Sequence, residues 1–209
     1  MALTNDHTVK AFDEDLNRLR GLISEMGGRA EQALLQAMAA LGNGDLALAA
    51  QVVQGDKKID ALETEVEQLT VQTIALRAPM ADDLREMIAA LKIVSVVERI
   101  GDYAKNIAKR VALMDQTRSI EAIPVLTSMS SLVAELIHDA LDSFAARDAD
   151  LAVRVTVRDK NVDDFYNSIF RTLVTFMMEN PKHITESAHL LFVAKNLERM
   201  GDHATNIAE

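Results

Sequence analysis

The chain carries one eleven-residue phrase twice. E-R-I-G-D-Y-A-K-N-I-A runs from Glu98 to Ala108 and E-R-M-G-D-H-A-T-N-I-A from Glu198 to Ala208, with eight of the eleven residues identical. The residues that persist include the charged, amide and glycine positions, which packing alone would not fix. D-K-K-I-D from Asp56 to Asp60 matches D-K-N-V-D from Asp159 to Asp163 at a spacing of 103, and Asp45 matches Asp148 at the same spacing. One unit of roughly a hundred residues written twice confines the fold to two similar halves. Each half should carry its own copy of a polar site.

The composition says what those halves are made of. Apolar residues are 49% of the chain, aromatics only 4%, with no Trp and ten Met. That is the Ala, Leu, Val and Met core that helices pack. Eight Gly and three Pro are too few for the turns of an all-β protein. The expectation is an all-α fold of two tandem, internally duplicated three-helix bundles, each an antiparallel bundle with short connections.

Helical periodicity is nearly continuous and breaks at matching places. Gly42, Asn43 and Gly44, followed by Asp45, read as a helix stop and then an N-cap. Pro79 and Pro181 each follow a long periodic stretch and belong in, or just before, the first turn of the next helix. The pattern predicts helices at roughly 8–41, 45–77 and 80–114, then 122–146, 148–179 and 181–209. The polar connector D-Q-T-R-S-I-E-A-I-P from Asp115 to Pro124 is the expected boundary between a first half at 1–116 and a second at 117–209. Glu209 falls at the place of Lys109, so the last helix is expected to be cut short.

Charge and cysteine content narrow the partners. With no Cys there is neither a disulfide nor a thiolate metal site, and the start M-A-L-T-N-D-H-T-V-K lacks the apolar core of a signal peptide, which predicts a cytoplasmic chain. No uncharged apolar run approaches the roughly eighteen residues of a membrane span, so membrane association is expected only through partners. A formal charge of −10 argues against a sequence-independent grip on nucleic acid and favours cations and basic protein surfaces.

The polar site is legible on the helical pattern. Ile93, Val96, Val97, Ile100, Ala104, Ile107 and Val111 form one apolar stripe, while Glu98, Asp102 and Asn106 recur every four residues on the other side. In the second half Val193, Leu197, Met200, Ala204 and Ile207 form the stripe, and Glu198, Asp202 and Asn206 the polar row. Asp56 with Asp60, and Asp159 with Asp163, repeat the four-residue spacing on the preceding helix. Like charges so placed destabilise an isolated helix by a few tenths of a kcal/mol, and four such pairs invite an explanation. If the second and third helices of each half are neighbours, four carboxylates and one amide surround a small volume. Oxygen ligands of that kind suit Mg²⁺, Mn²⁺, Ca²⁺ or iron rather than a structural zinc. Gly101 and Gly201 lie inside these helices, where glycine costs about 1 kcal/mol against alanine, so something has to approach the backbone there.

Two other readings stand beside this one. The rows could be solvated helix faces in which Arg99 and Arg199 pair with the carboxylates. A carboxylate-bridged metal enzyme or a metal-storage bundle is the rival from another class, but such sites carry histidine at Glu-x-x-His spacing inside the bundle, and both histidine and burial are missing from this motif. The histidines His7, His138, His183, His189 and His203 do not recur at matched positions and read as surface or structural groups, and the methionines, Met177 and Met178 among them, as core filler. No nucleophile elbow, glycine-rich phosphate loop or Cys/His pair points to catalysis.

The two phrases, each preceded on the earlier helix by D-x-x-x-D, closely resemble the paired signatures of the PhoU family of bacterial phosphate-signalling proteins. The resemblance covers essentially the whole chain, since motif order, helix count and duplication agree. It implies a cytoplasmic, homodimeric, non-enzymatic regulator, peripheral to the inner membrane through its partners. The metal-binding motifs carried over are Asp56 and Asp60 with Glu98 and Asp102, and Asp159 and Asp163 with Glu198 and Asp202. Asn106 and Asn206 stand one turn further along. The implied ions are divalent or ferric, with magnesium, manganese or iron foremost and zinc a further option. The implied role is negative regulation of the phosphate-starvation response and modulation of uptake. The implied partners are the cytoplasmic subunit of the phosphate ABC transporter and a sensor histidine kinase.

Overall fold

The structure is a computed structural model that describes residues 3–114 and 122–209, with side chains from position 11 onward. Six long helices carry the fold: α1 (Leu3–Asn43), α2 (Leu46–Arg77), α3 (Asp82–Val111), α4 (Ile123–Ala146), α5 (Ala149–Glu179) and α6 (Ile184–Ala208). No strand occurs among the described residues. The expected boundary connector falls largely outside the described residues, as does the side chain of His7.

The helix ends follow the local chemistry. At the α1–α2 turn Gly44 takes φ 65°, which glycine adopts without a Cβ penalty. Asp45 then caps α2, its carboxylate accepting from the Leu48 N–H at 2.9 Å. Asp148 repeats the cap on α5 through the Leu151 N–H, also at 2.9 Å. Each cap satisfies an amide that would otherwise lack a partner, worth about 1 kcal/mol. The third helices are shorter than expected. α3 begins at Asp82, three residues after Pro79, because Ala78 (φ 46°) and Ala81 (φ 51°) reverse the chain on either side of the proline. Pro181 opens a 3₁₀ turn over Pro181–His183 before α6 starts at Ile184.

Within each half the three helices pack against one another, α1 with α2 and α3, and α4 with α5 and α6. The halves join through α1 against α4 and α3 against α6. The α3–α6 pair runs antiparallel: Tyr103 stacks on His203 with ring centroids 5.6 Å apart, while Arg110, later in α3, lies over the ring of Phe192, earlier in α6. The apolar stripe of α3 is buried at Ile93, Val97, Ile100, Ala104, Ile107 and Val111, with Val96 half-buried. The stripe of α6 is buried throughout. These stripes, with their counterparts on the other helices, form one continuous core across both halves.

Candidate metal-binding faces

The α2–α3 and α5–α6 seams are where the polar rows meet. Glycine makes the approach close. A Cβ at Gly101 would stand 2.8 Å from Ile59 Cδ1 of α2, and one at Gly201 2.7 Å from Asp159 Oδ1 and 3.2 Å from Val162 Cγ1 of α5. The interior glycines therefore admit the neighbouring helix, and at Gly201 that neighbour presents a carboxylate.

In the first half Asp56 is buried at 7% exposure, Glu98, Asp102 and Asn106 are half-buried, and Asp60 is exposed. The sequence placed these groups on a solvent face. Glu98, Asp102 and Asn106 lie instead on the flank of α3 between core and solvent, partly covered by the neighbouring helix, and Asp60 alone of the set stays exposed. Lys105 stands at the centre: its Nζ lies 2.5 Å from Asp56 Oδ2 and also donates to Asp102. Burial works against the ammonium, but those two hydrogen bonds outweigh it and push its pKa up.

Glu98 has no such partner among the described residues. Burial, followed by the charges of Asp102, Glu63, Asp60 and Asp56, pushes its carboxyl up to about 7. Burial first and neighbouring carboxylates second also raise Asp60 and Glu63, Lys105 opposing the shift at Asp60. Glu63 thus belongs to the cluster although it lies outside the repeated motif. Its place in the second half is taken by Tyr166, which hid it from a search for repeats.

The second half is built from the same positions with different neighbours. Burial, then Asp163 and Asp202, push Asp159 up to about 6, against a hydrogen bond from Thr205 that lowers it. Glu198 accepts from Lys195 at 2.5 Å through Oε1, while its Oε2 is buried with no hydrogen-bond partner, the Arg199 Nε being 3.8 Å away. Arg199 donates to Asp202 at 3.1 Å, the pairing foreseen from sequence. Arg99, foreseen in the same role, makes no ion pair among the described residues. It lines a cavity of about 430 Å³ where α3, α5 and α6 meet, with Tyr103, Asp159, Arg199, Asp202, His203, Thr205 and Asn206, so that two guanidiniums share the cavity with two carboxylates. His203 forms part of that cavity's wall; burial first, and Arg99 second, lower its pKa and favour the neutral ring.

The seams thus bring Asp56, Asp60, Glu98 and Asp102 into one electrostatic cluster, and Asp159, Asp163, Glu198 and Asp202 into another. Asn206 is turned toward His203 at 3.5 Å, and Asn106 stays half-buried on the same face. As the side chains stand, no three His, Asp or Glu groups among the described residues converge closely enough to hold a metal ion. The donor chemistry fits a hard cation, since crowded carboxylates, one with an orphaned buried oxygen, are relieved by positive charge. No helix among the described residues is long and apolar enough to cross a membrane.

A duplicated pair of three-helix bundles with an acidic face on each second-to-third helix seam defines a class of paired-repeat helical proteins. The chain belongs to the PhoU family: the PhoU domain model matches it twice, over residues 23–111 and 126–209. It is 55% identical over 203 residues to the phosphate-specific transport system accessory protein PhoU homolog of Zymomonas mobilis, covering 97% of this chain and 86% of that protein. It superposes on the crystal structure of PhoU from Pseudomonas aeruginosa with a TM-score of 0.90 at 38% identity, covering 94% of this chain and 95% of that one. The phosphate transport system regulatory protein PhoU of Streptococcus pneumoniae gives a TM-score of 0.88 at 26% identity, covering 95% and 93%.

Proposed function

We propose that this chain is an accessory and regulatory protein of phosphate transport that acts by binding rather than catalysis. Its acidic seams hold metal ions, and it restrains the phosphate-starvation response and modulates uptake. It works as a homodimer between the cytoplasmic subunit of the phosphate ABC transporter and a sensor histidine kinase. The observation that carries the reading is the doubled acidic phrase, Glu98 to Ala108 and Glu198 to Ala208, in a chain 55% identical to a phosphate-transport accessory protein. The net charge of −10 turns it toward cations and basic protein surfaces and away from DNA.

Deletion of the gene should leave phosphate-starvation genes switched on in phosphate-rich medium, and affinity capture should recover the transporter subunit or the kinase. Normal repression in a deletion strain without a paralogue would overturn the regulatory reading. Metal analysis of protein purified without chelator tests the ions separately. A metal-free, salt-bridged scaffold is the second reading, favoured by the ammonium of Lys105 at the heart of the first cluster. Equal metal uptake by the parent and an Asp102→Asn, Asp202→Asn double variant would support it.

A further inference from the structure

In a chain of formal charge −10, one face of α3 carries unpaired cations beside exposed apolar groups. Leu84, Ile88, Lys92, Ser95 and Arg99 follow one another at steps of three or four, so they share one side of the helix, away from its buried stripe. Leu84 and Ile88 are 36% and 43% exposed, and Lys92 and Arg99 are exposed as well. Beside this row α3 and α6 enclose two cavities that share Asn206. One is the cavity of about 430 Å³ that Arg99 lines. The other, of about 1120 Å³, runs from Ala81 to Ile93 of α3 against Phe144, Arg147 and Ile207. Together they make a valley about 27 Å long from Ala81 to Arg99, at the rise of an α-helix.

The carboxylates of this valley are engaged. Asp82 pairs with Arg85 at 3.0 Å, Asp202 with Arg199 at 3.1 Å, and Asp148 caps α5. Glu86 is held by two guanidiniums, Arg20 of α1 and Arg147 at the end of α4. Asp159 accepts from Thr205, its carboxyl pushed up by burial, and Glu209 stands at the far rim. Lys92 and Arg99, two helical turns apart, make no ion pair among the described residues. Arg147 adds to the basic rim from left-handed backbone at φ 55°, a cost that its counterpart Gly44 at φ 65° does not carry. The second half shows the same place closed: Phe192 stands where the first copy has Lys92, and Arg110 covers its ring 3.8 Å from the centroid.

We propose that the valley from Ala81 to Arg99 is a docking surface for an acidic amphipathic helix of a partner protein. Carboxylates two turns apart on that helix meet Lys92 and Arg99, and its apolar side covers Leu84 and Ile88. The proposal deepens the adaptor reading above and rests on it for the biological partner, while it is independent of metal. A protein helix lies within the valley, whereas a nucleic acid would run on into the negative charge beyond it.

The test is fluorescence anisotropy on the full chain, with a labelled helical peptide of about three Glu-Ile-Ala-Ala-Leu-Glu-Ala heptads, roughly 30 Å long, as the probe. The parent should bind it saturably and more weakly as salt rises. A Lys92→Gln, Arg99→Gln double variant should weaken binding about tenfold or more, and Ile88→Ser should weaken it severalfold. All three positions are exposed, so unchanged melting curves should accompany the loss. The same peptide with Lys in place of Glu should not bind. No binding by the parent, undiminished binding by either variant, or equal binding of the basic peptide would overturn the proposal, as would displacement of the peptide by duplex DNA or by phosphatidylserine vesicles. In a deletion strain that has lost repression, the double variant should fail to restore it, and full restoration would count against this surface. A deletion strain that keeps normal repression defeats the adaptor reading, while the peptide titration still decides whether the valley binds an acidic helix.

Discussion

Glu98 shows how the site titrates. Its carboxyl is raised from an ordinary 4.5 to about 7 by burial and by Asp102, Glu63, Asp60 and Asp56. A carboxyl whose folded value is raised favours folding while it is protonated, so its contribution is complete below pH 4.5 and is lost as pH rises through about 7. Metal-free protein should therefore lose stability across that window, and Glu98→Gln should not share the loss. At pH 8 the variant should melt about 2–4 °C above the parent, the shift that 1 kcal/mol produces in a chain of this size, with little difference at pH 4.5. Melting curves at the two values check it; a variant less stable than the parent at pH 8 would show that Glu98 has a cationic partner. The eight carboxylates of the repeated motifs were legible in the sequence because four-residue spacing survived duplication. Lys105 and Glu63 were not, because repetition was the signal and both are replaced in the other half. The half-burial of the motif was missed for a related reason: the helical pattern gives the angle of a side chain about its own axis, not how far the neighbouring helix overlaps it.

At the scale of the helices, five of the six elements begin or end where a cap or breaker announced it. Asp45 and Asp148 cap α2 and α5 as the matched sequence pattern requires. The α2–α3 connection was less legible. Ala78 closes α2 in the left-handed region at φ 46°, ψ 55°, where its N–H bonds the Ile74 carbonyl. Alanine gives no sequence signal for that conformation, and its counterpart before Pro181, Asn180, sits at φ −132° instead. Left-handed backbone costs an L-residue about 1–2 kcal/mol, a cost that glycine does not carry. Ala78 is exposed and packs no methyl that its loss would forfeit. Ala78→Gly should accordingly stabilise the protein by about 0.5–1 kcal/mol, read from chemical denaturation with unchanged slope. A decrease in stability would mean that the residue does not hold this conformation in solution.

The whole molecule is held together where the two copies meet, and here the sequence was silent. Duplication announces two halves but says nothing of how they face one another. The structure joins them through α1 on α4 and α3 on α6, with Tyr103 stacked on His203 at a matched pair of positions. Gly27 is the small residue that lets α1 reach α4: a Cβ there would collide with Leu141 Cδ1. Its counterpart at the repeat spacing is Ser130, also small and buried, at 1% exposure. A continuous core predicts that the halves unfold together despite their separate sites. The two tyrosines, Tyr103 and Tyr166, report by fluorescence on the α3–α6 seam and on α5, while circular dichroism reports on all six helices. The curves of the parent should superimpose, and resolved transitions would defeat the idea of one cooperative body. Gly27→Leu drives a large side chain into the space that Leu141 occupies between α1 and α4, so it should cost roughly 1–3 kcal/mol. Because the wedge lies between the halves, both probes should shift to lower denaturant by the same amount; a shift confined to one probe would place Gly27 within one half rather than between the two.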